Sequence, residues 1–348
     1  MFTMLFEDWP VELVLEVMGH CCTVNDVLNL AFTCHKFRTI FTTSRKLPIL
    51  AAAAEREYGP LKDAIQLVTH NSSQPAHIIR NVPFSIALLK QIAEVGRAAK
   101  KWEDIYPVKK WKLNFEKRRL LRNLERYHLR RAIYRLWLYN RAFHNRNYPR
   151  TTRVLRSIVQ ERAELLHNWN SQELAEIEDV RDVLREVLQH HVCPSNGTIQ
   201  RKFRKRYPEA DQQLLFNIHL NYPPPPTTFQ QHFYTVQQVN ANNKYQSRYH
   251  IAPHHEIGGE GWGDEIPHHY VVEDMLKLDP GQILWLRDNA LLKQEVEAFV
   301  RNLGDWFENN GETFGQTLEW VLDERGEDIE DLKNAVKDGD LGIAIDVN

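Results

Sequence analysis

Cysteine is scarce in this chain, with four in 348 residues: Cys21 and Cys22 are adjacent, and Cys34 and Cys193 stand alone. That excludes a disulfide framework and points to a reducing compartment, the cytosol or the nucleus. Long uncharged apolar runs are missing, so no membrane span is expected. Met1 to Pro10 carries Glu7 and Asp8 but no basic residue, unlike a signal or transit peptide. No P-loop, G-x-S-x-G, H-E-x-x-H or C-x-x-C occurs. The Gly258–Gly263 cluster has glycines without a flanking strand and helix, and Glu260 within it would repel phosphate; a turn laying Trp262 onto the core fits it better. The histidine pairs His190-His191, His254-His255 and His268-His269 lack the spacing of a zinc site. These absences argue against an enzyme and imply no cofactor and no metal.

What is present is ordinary globular composition, 43% hydrophobic and 26% charged, with helical periodicity almost throughout. Helices are expected near 48–57, 85–97, 113–144, 153–169, 171–191 (capped by Ser171), 198–220 with a break at Pro208, 271–277, 289–309 (capped by Asp288), 312–324 and 328–337. The four-proline run Pro223–Pro226 favours polyproline II, and an irregular Gln/Asn/His/Gly-rich stretch follows to about Pro267. The fold class is therefore mainly α: a compact N-terminal module over 1–47, then a large helical domain over 48–348, with a candidate subdivision near 221–228.

Within the module, Trp9-Pro10-Val-Glu-Leu13 opens a helix, where proline suits the first turn. At 100° per residue, Val11, Leu13, Val14, Leu15, Val17 and Met18 cover an arc of roughly 200°, twice the stripe that a surface helix needs. This helix has two apolar contacts to make. A second short helix is expected after Thr23 or Asn25, with Val27, Leu28, Leu30 and Ala31 apolar. A third follows Thr33, anchored by Phe37, Ile40 and Phe41. Three short helices bury too little to stand alone, so the excess face needs a cover from this chain or from a partner.

The run Trp9-Pro-Val-Glu-Leu-Val-Leu-Glu-Val-Met18, then Asp26-Val-Leu-Asn-Leu-Ala-Phe-Thr-Cys34 and Lys36-Phe-Arg38, resembles an F-box. The resemblance covers about 40 residues and places Trp9, Pro10, Glu12, Leu13, Val17, Met18, Leu28, Leu30, Cys34 and Phe37 at the family's Skp1-binding positions. Trp9 stands where the family usually has Leu, and Cys21 replaces a usual Leu at the end of the first helix. The resemblance implies a substrate-recognition subunit of a Skp1–cullin–F-box ubiquitin ligase, binding Skp1, through it a cullin, and a protein substrate. The Ala132–Leu138 and Asp279–Trp285 segments resemble the helical C-terminal regions of filamentous-fungal F-box proteins. An F-box used outside a ligase remains an alternative.

Charge is segregated. Between Arg97 and Arg156 there are 19 basic residues against Glu103, Asp104, Glu116 and Glu125, with aromatic residues interleaved. Such a pattern can bind nucleic acid, but no recognised nucleic-acid motif accompanies it. Segment 295–348 holds 15 acidic residues against four basic ones. Intramolecular matching between the two segments is the expectation, ahead of an acidic protein substrate and of nucleic acid.

Overall fold

The computed structural model describes residues 9–42, 45–71, 73–149, 151–206, 261–263, 265–307 and 311–345. The proline run 223–226 and most of the irregular stretch lie outside them, as do His250, His254 and His255. The described residues are mainly α-helical and contain no strand, and none of their helices is long and apolar enough to cross a membrane.

The N-terminal module forms α1 (Val11–His20), α2 (Val24–Ala31) and α3 (His35–Thr42). Then come α4 (Lys46–Tyr58), α5 (Leu61–Thr69), α6 (Ile86–Lys110), α7 (Asn123–Phe143), α8 (Arg156–His167) and α9 (Ser171–Val187). A π-turn, Leu188–Val192, leads to α10 (Asn196–Arg206). The remaining helices are α11 (Glu265–Met275), α12 (Pro280–Asn289), α13 (Lys293–Leu303), α14 (Phe314–Arg325) and α15 (Ile329–Asp338).

Capping residues fix many of the starts, because the first turn of a helix leaves its N–H groups unpaired. Asn170 and Glu173 close a reciprocal box at α9, so Asn170 and not Ser171 is the cap. Asp279 accepts from the Gln282 amide, with Pro280 in the first turn of α12. Asp328 caps α15 in the same way. Asp288 is no cap: it lies near the end of α12, 3.5 Å from Lys101.

Several helices depart from expectation: α5 and α12 lie where none is expected, the helix expected over 289–309 is confined to Lys293–Leu303, and α6 and α7 differ in extent. α6 continues to Lys110 instead of stopping near Arg97. Its charged second half hides a buried stripe of Trp102, Ile105 and Tyr106, and Trp102 donates to the Pro280 carbonyl at 3.2 Å. α7 begins at Asn123 rather than Leu113. Residues 111–122 are irregular, and Leu113 is 89% and Leu120 77% exposed, so their helical spacing is not used for packing.

At the centre, α7 packs against α5, α6 and α9. From Leu129 to Phe143 nearly every side chain of α7 is buried, each large apolar one contributing roughly 1.5–3 kcal/mol. α4 lies on α6 so closely that a Cβ at Gly96 would sit 2.3 Å from the Tyr58 ring. α8 packs on α14, α15 on α9, and α12 bridges α6 and the π-turn. The apolar core is continuous from Val14 to Ala344, with no break in packing at residue 47. The Trp262 turn does face the core: its N–H donates to the Pro194 carbonyl at 3.0 Å and its ring is 5% exposed.

Candidate partner-binding surface

α1 begins after Pro10, whose carbonyl accepts from Val14 N at 3.2 Å. Its 200° apolar arc is buried at its centre and open to either side. Val14 and Met18 are fully buried, whereas Leu13 is 54%, Val11 43% and Val17 41% exposed. Leu13 and Val17 are four residues apart and share one flank of the helix. Among the described residues, that flank is not covered.

The other proposed contact residues divide likewise. Pro10 and Glu12 are exposed, and Trp9, Leu28, Leu30 and Cys34 are half-buried against the core. Met18 and Phe37 have almost no surface, so in this structure they join the three helices together and offer nothing to an outside molecule. Lys36 holds the Trp9 lead-in by donating to its carbonyl at 2.7 Å. Phe32, at the end of α2, is 63% exposed beneath the Arg38 guanidinium, and Leu47 is 39% exposed. Neither was singled out from sequence, because an isolated apolar residue at a helix end breaks no periodicity.

Two adjacent charges of α4 tether the module. Arg56 donates to the Cys21 carbonyl at 2.7 Å and to the Gly19 carbonyl, at the C-terminal end of α1. Glu57 accepts from the Val24 N–H at 2.9 Å, at the N-terminal end of α2. Both signs oppose the local helix dipole, which makes both contacts favourable. Thr23 and Asp26 complete a reciprocal cap on α2. Cys21 donates toward the Val17 carbonyl at 3.4 Å. Burial, and then the Asp26 carboxylate, push its thiol pKa up.

The basic middle does not form one open patch. Arg130 pairs with Glu103 at 2.6 Å, Arg131 with Glu176 at 2.6 Å and Glu173 at 3.1 Å, and Arg135 with Asp63 at 2.7 Å and Glu173 at 3.0 Å. Intramolecular charge matching is therefore present, but the acids that meet these arginines sit on α5, α6 and α9. The expected source, segment 295–348, does not supply them, because α7 is wedged between the earlier helices. Exposed basic residues include those of the irregular segment before α7, where Lys112, Lys117, Arg118 and Arg122 alternate with Leu113, Phe115 and Leu120. Among the described residues no group of His, Cys, Asp or Glu could hold a metal ion.

Comparison of the chain with protein-family models, characterised proteins and solved structures found no match.

Proposed function

We propose that this protein is the substrate-recognition subunit of a Skp1–cullin–F-box ubiquitin ligase, working in the cytosol or the nucleus. One observation carries the reading. Leu13 and Val17 present an uncovered apolar flank on α1, the helix whose Pro10-x-Glu12-Leu13 opening resembles an F-box, while Val14 and Met18, beside them in the middle of the apolar arc, face the core. Such a face is the kind of surface that an apolar partner groove would bury. The large helical body then holds a protein substrate near a ubiquitin-charged enzyme. The gain is one of effective concentration, since tethering converts a bimolecular encounter into an intramolecular one. No chemistry is required of the chain itself.

The test is co-expression with Skp1 followed by gel filtration in moderate salt. A stable complex is expected. Leu13→Asp should weaken it by at least about 2 kcal/mol, roughly thirtyfold, because a charge would be buried unpaired at the centre of the contact. A well-folded chain that ignores Skp1, or a Leu13→Asp variant that binds undiminished, would sink the reading. A Skp1 complex that does not recruit a cullin would leave the interaction and remove the ligase.

A further inference from the structure

The end of α6, the π-turn after α9, α10 and α12 bring a second constellation together. The wide turn, closed by Cys193 N–H donating to the Leu188 carbonyl at 2.7 Å, directs two consecutive imidazoles toward the last residues of α6. Lys109 Nζ lies 2.8 Å from His191 Nε2, and Lys112 Nζ lies 3.0 Å from His190 Nε2. Lys202 of α10 donates to the His190 carbonyl at 2.7 Å. Arg287 of α12 adds its charge to the same group, since Lys109, Lys202 and Arg287 all act on His191.

Four permanent cations thus gather around two imidazoles. Carboxylates are sparse in comparison: Glu186 is 3.0 Å from Lys112, and Asp288, already shared with Lys101, is 3.6 Å from Arg287. On α7, Arg130, Arg131 and Arg135 are each met by a carboxylate. Lys109, by contrast, has an imidazole nitrogen at hydrogen-bond distance, and an imidazole can accept from an ammonium group only while it is neutral. Burial first, and then the neighbouring cations, push His191 down to about 4, which keeps it an acceptor. Burial also lowers the Lys109 pKa. Like charges held this close raise one another's energy, and an incoming anion would relieve the repulsion. Lys112 and Lys202 are exposed, so the group is open to solvent.

We propose that Lys109, Lys112 and Lys202, with His190 and His191, form a binding site for a phosphoryl group. The ammonium groups serve as point charges for its oxygens, and the two neutral imidazoles hold Lys109 and Lys112 in place. The site is independent of whether α1 docks on an adaptor. A phosphoryl group could arrive on a soluble phosphate compound or on a phosphorylated peptide, and the two sources share this chemistry.

The experiment is isothermal titration of the full chain with sodium pyrophosphate, against sodium chloride of matched ionic strength. A phosphoserine peptide and its unphosphorylated twin are titrated in parallel. Saturable binding of a phosphorylated probe is expected, with the unphosphorylated twin silent. Lys109→Gln and Lys202→Gln should each weaken it about tenfold, the loss of one charge-assisted hydrogen bond. Lys333→Gln, on α15 beside Glu330, should leave it unchanged. Lys202→Gln removes an exposed side chain, so it tests the site even if the half-buried Lys109 variant unfolds. Tighter pyrophosphate binding assigns the site to a soluble compound, and tighter phosphopeptide binding to a modified protein. Either result supports the proposal. Absence of saturable binding by both phosphorylated probes, or binding indifferent to Lys202→Gln, overturns it.

Discussion

Replacing Asp179 by alanine should be among the most damaging single changes in the molecule. Asp179 is fully buried on α9. Its carboxylate accepts from Tyr106 Oη at 2.6 Å, Lys110 Nζ at 2.8 Å and the Ile343 N–H at 3.0 Å. The close approach depends on Gly342, where a Cβ would stand 2.6 Å from Asp179 Oδ2 and φ is +104°. Asp179→Ala would leave the Tyr106 phenol and the Ile343 amide without this acceptor and Lys110 with only the Val336 carbonyl, 2.8 Å away. Removing one partner of a buried pair typically costs about 3–5 kcal/mol. The Lys110 side chain is 14% exposed and can recruit water, which favours the lower end, about 3 kcal/mol. Against a total stability of about 5–15 kcal/mol for a domain, that is a large fraction. Urea unfolding followed by circular dichroism would read it as a lower midpoint at unchanged slope. Asp179→Asn, which keeps an acceptor but not the charge, should lose less. An Asp179→Ala midpoint within about 1 kcal/mol of the parent would refute the idea that this carboxylate organises the interior.

Arg56→Ala should loosen α1 from α4 at a cost of about 1–2 kcal/mol, seen as faster amide exchange in α1 and α2 with α7 unchanged. Leu13→Asp, at an exposed site, should alter the unfolding midpoint by no more than about 0.5 kcal/mol; a larger loss would mean that the flank is covered after all. His144 is buried, and its Nε2 accepts from the Thr313 N–H at 3.3 Å. Burial first, then Arg153 and Lys277, hold its pKa well below the usual 6.5. Its neutral form therefore contributes stability that is fully present above about pH 6.5 and is lost as pH falls toward the depressed folded value. His144→Gln should flatten the pH dependence of stability between about pH 6.5 and 5, and an unchanged slope would assign that dependence to other groups.

Helix type and several starts were legible because they depend on local chemistry. Asp328 is followed by an apolar-periodic run, and Thr23 has Asp26 three residues on. The apolar excess of α1 was legible for the same reason: it is a count around one helix. The extent of α6 was not, because Pro107 and four charges between Lys100 and Asp104 mask a buried stripe that only distant helices, among them α7, α9 and α12, make necessary. The spacing of Leu113, Leu120 and Leu124 misled in the opposite direction: nothing packs on it, and all three are exposed. The interior of α9 was the least visible. Nothing in the sequence singles out Glu176, Glu178, Asp179 and Arg181, yet all four are buried, Arg181 lying between Glu178 and Glu312. A charge inside a protein is tolerated when distant residues meet it, and sequence spacing does not reveal which residues those are. The cluster around Lys109 and His191 has the same origin, since it joins positions 109, 190, 202 and 287.

The Ile343–Asp179 contact also bears on how the molecule is made. Synthesis proceeds from the N-terminus, so α1 to α4 can assemble early, with Arg56 and Glu57 emerging directly after the helices they hold. The centre cannot. Asp179 and Lys110 leave the ribosome long before Ile343, and until that amide arrives the carboxylate lacks one of its donors. The nascent chain must keep the middle of α9 open, or hydrated, while more than 160 further residues are added. The module that carries the exposed Leu13 flank is thus available to a partner before the body behind it can close.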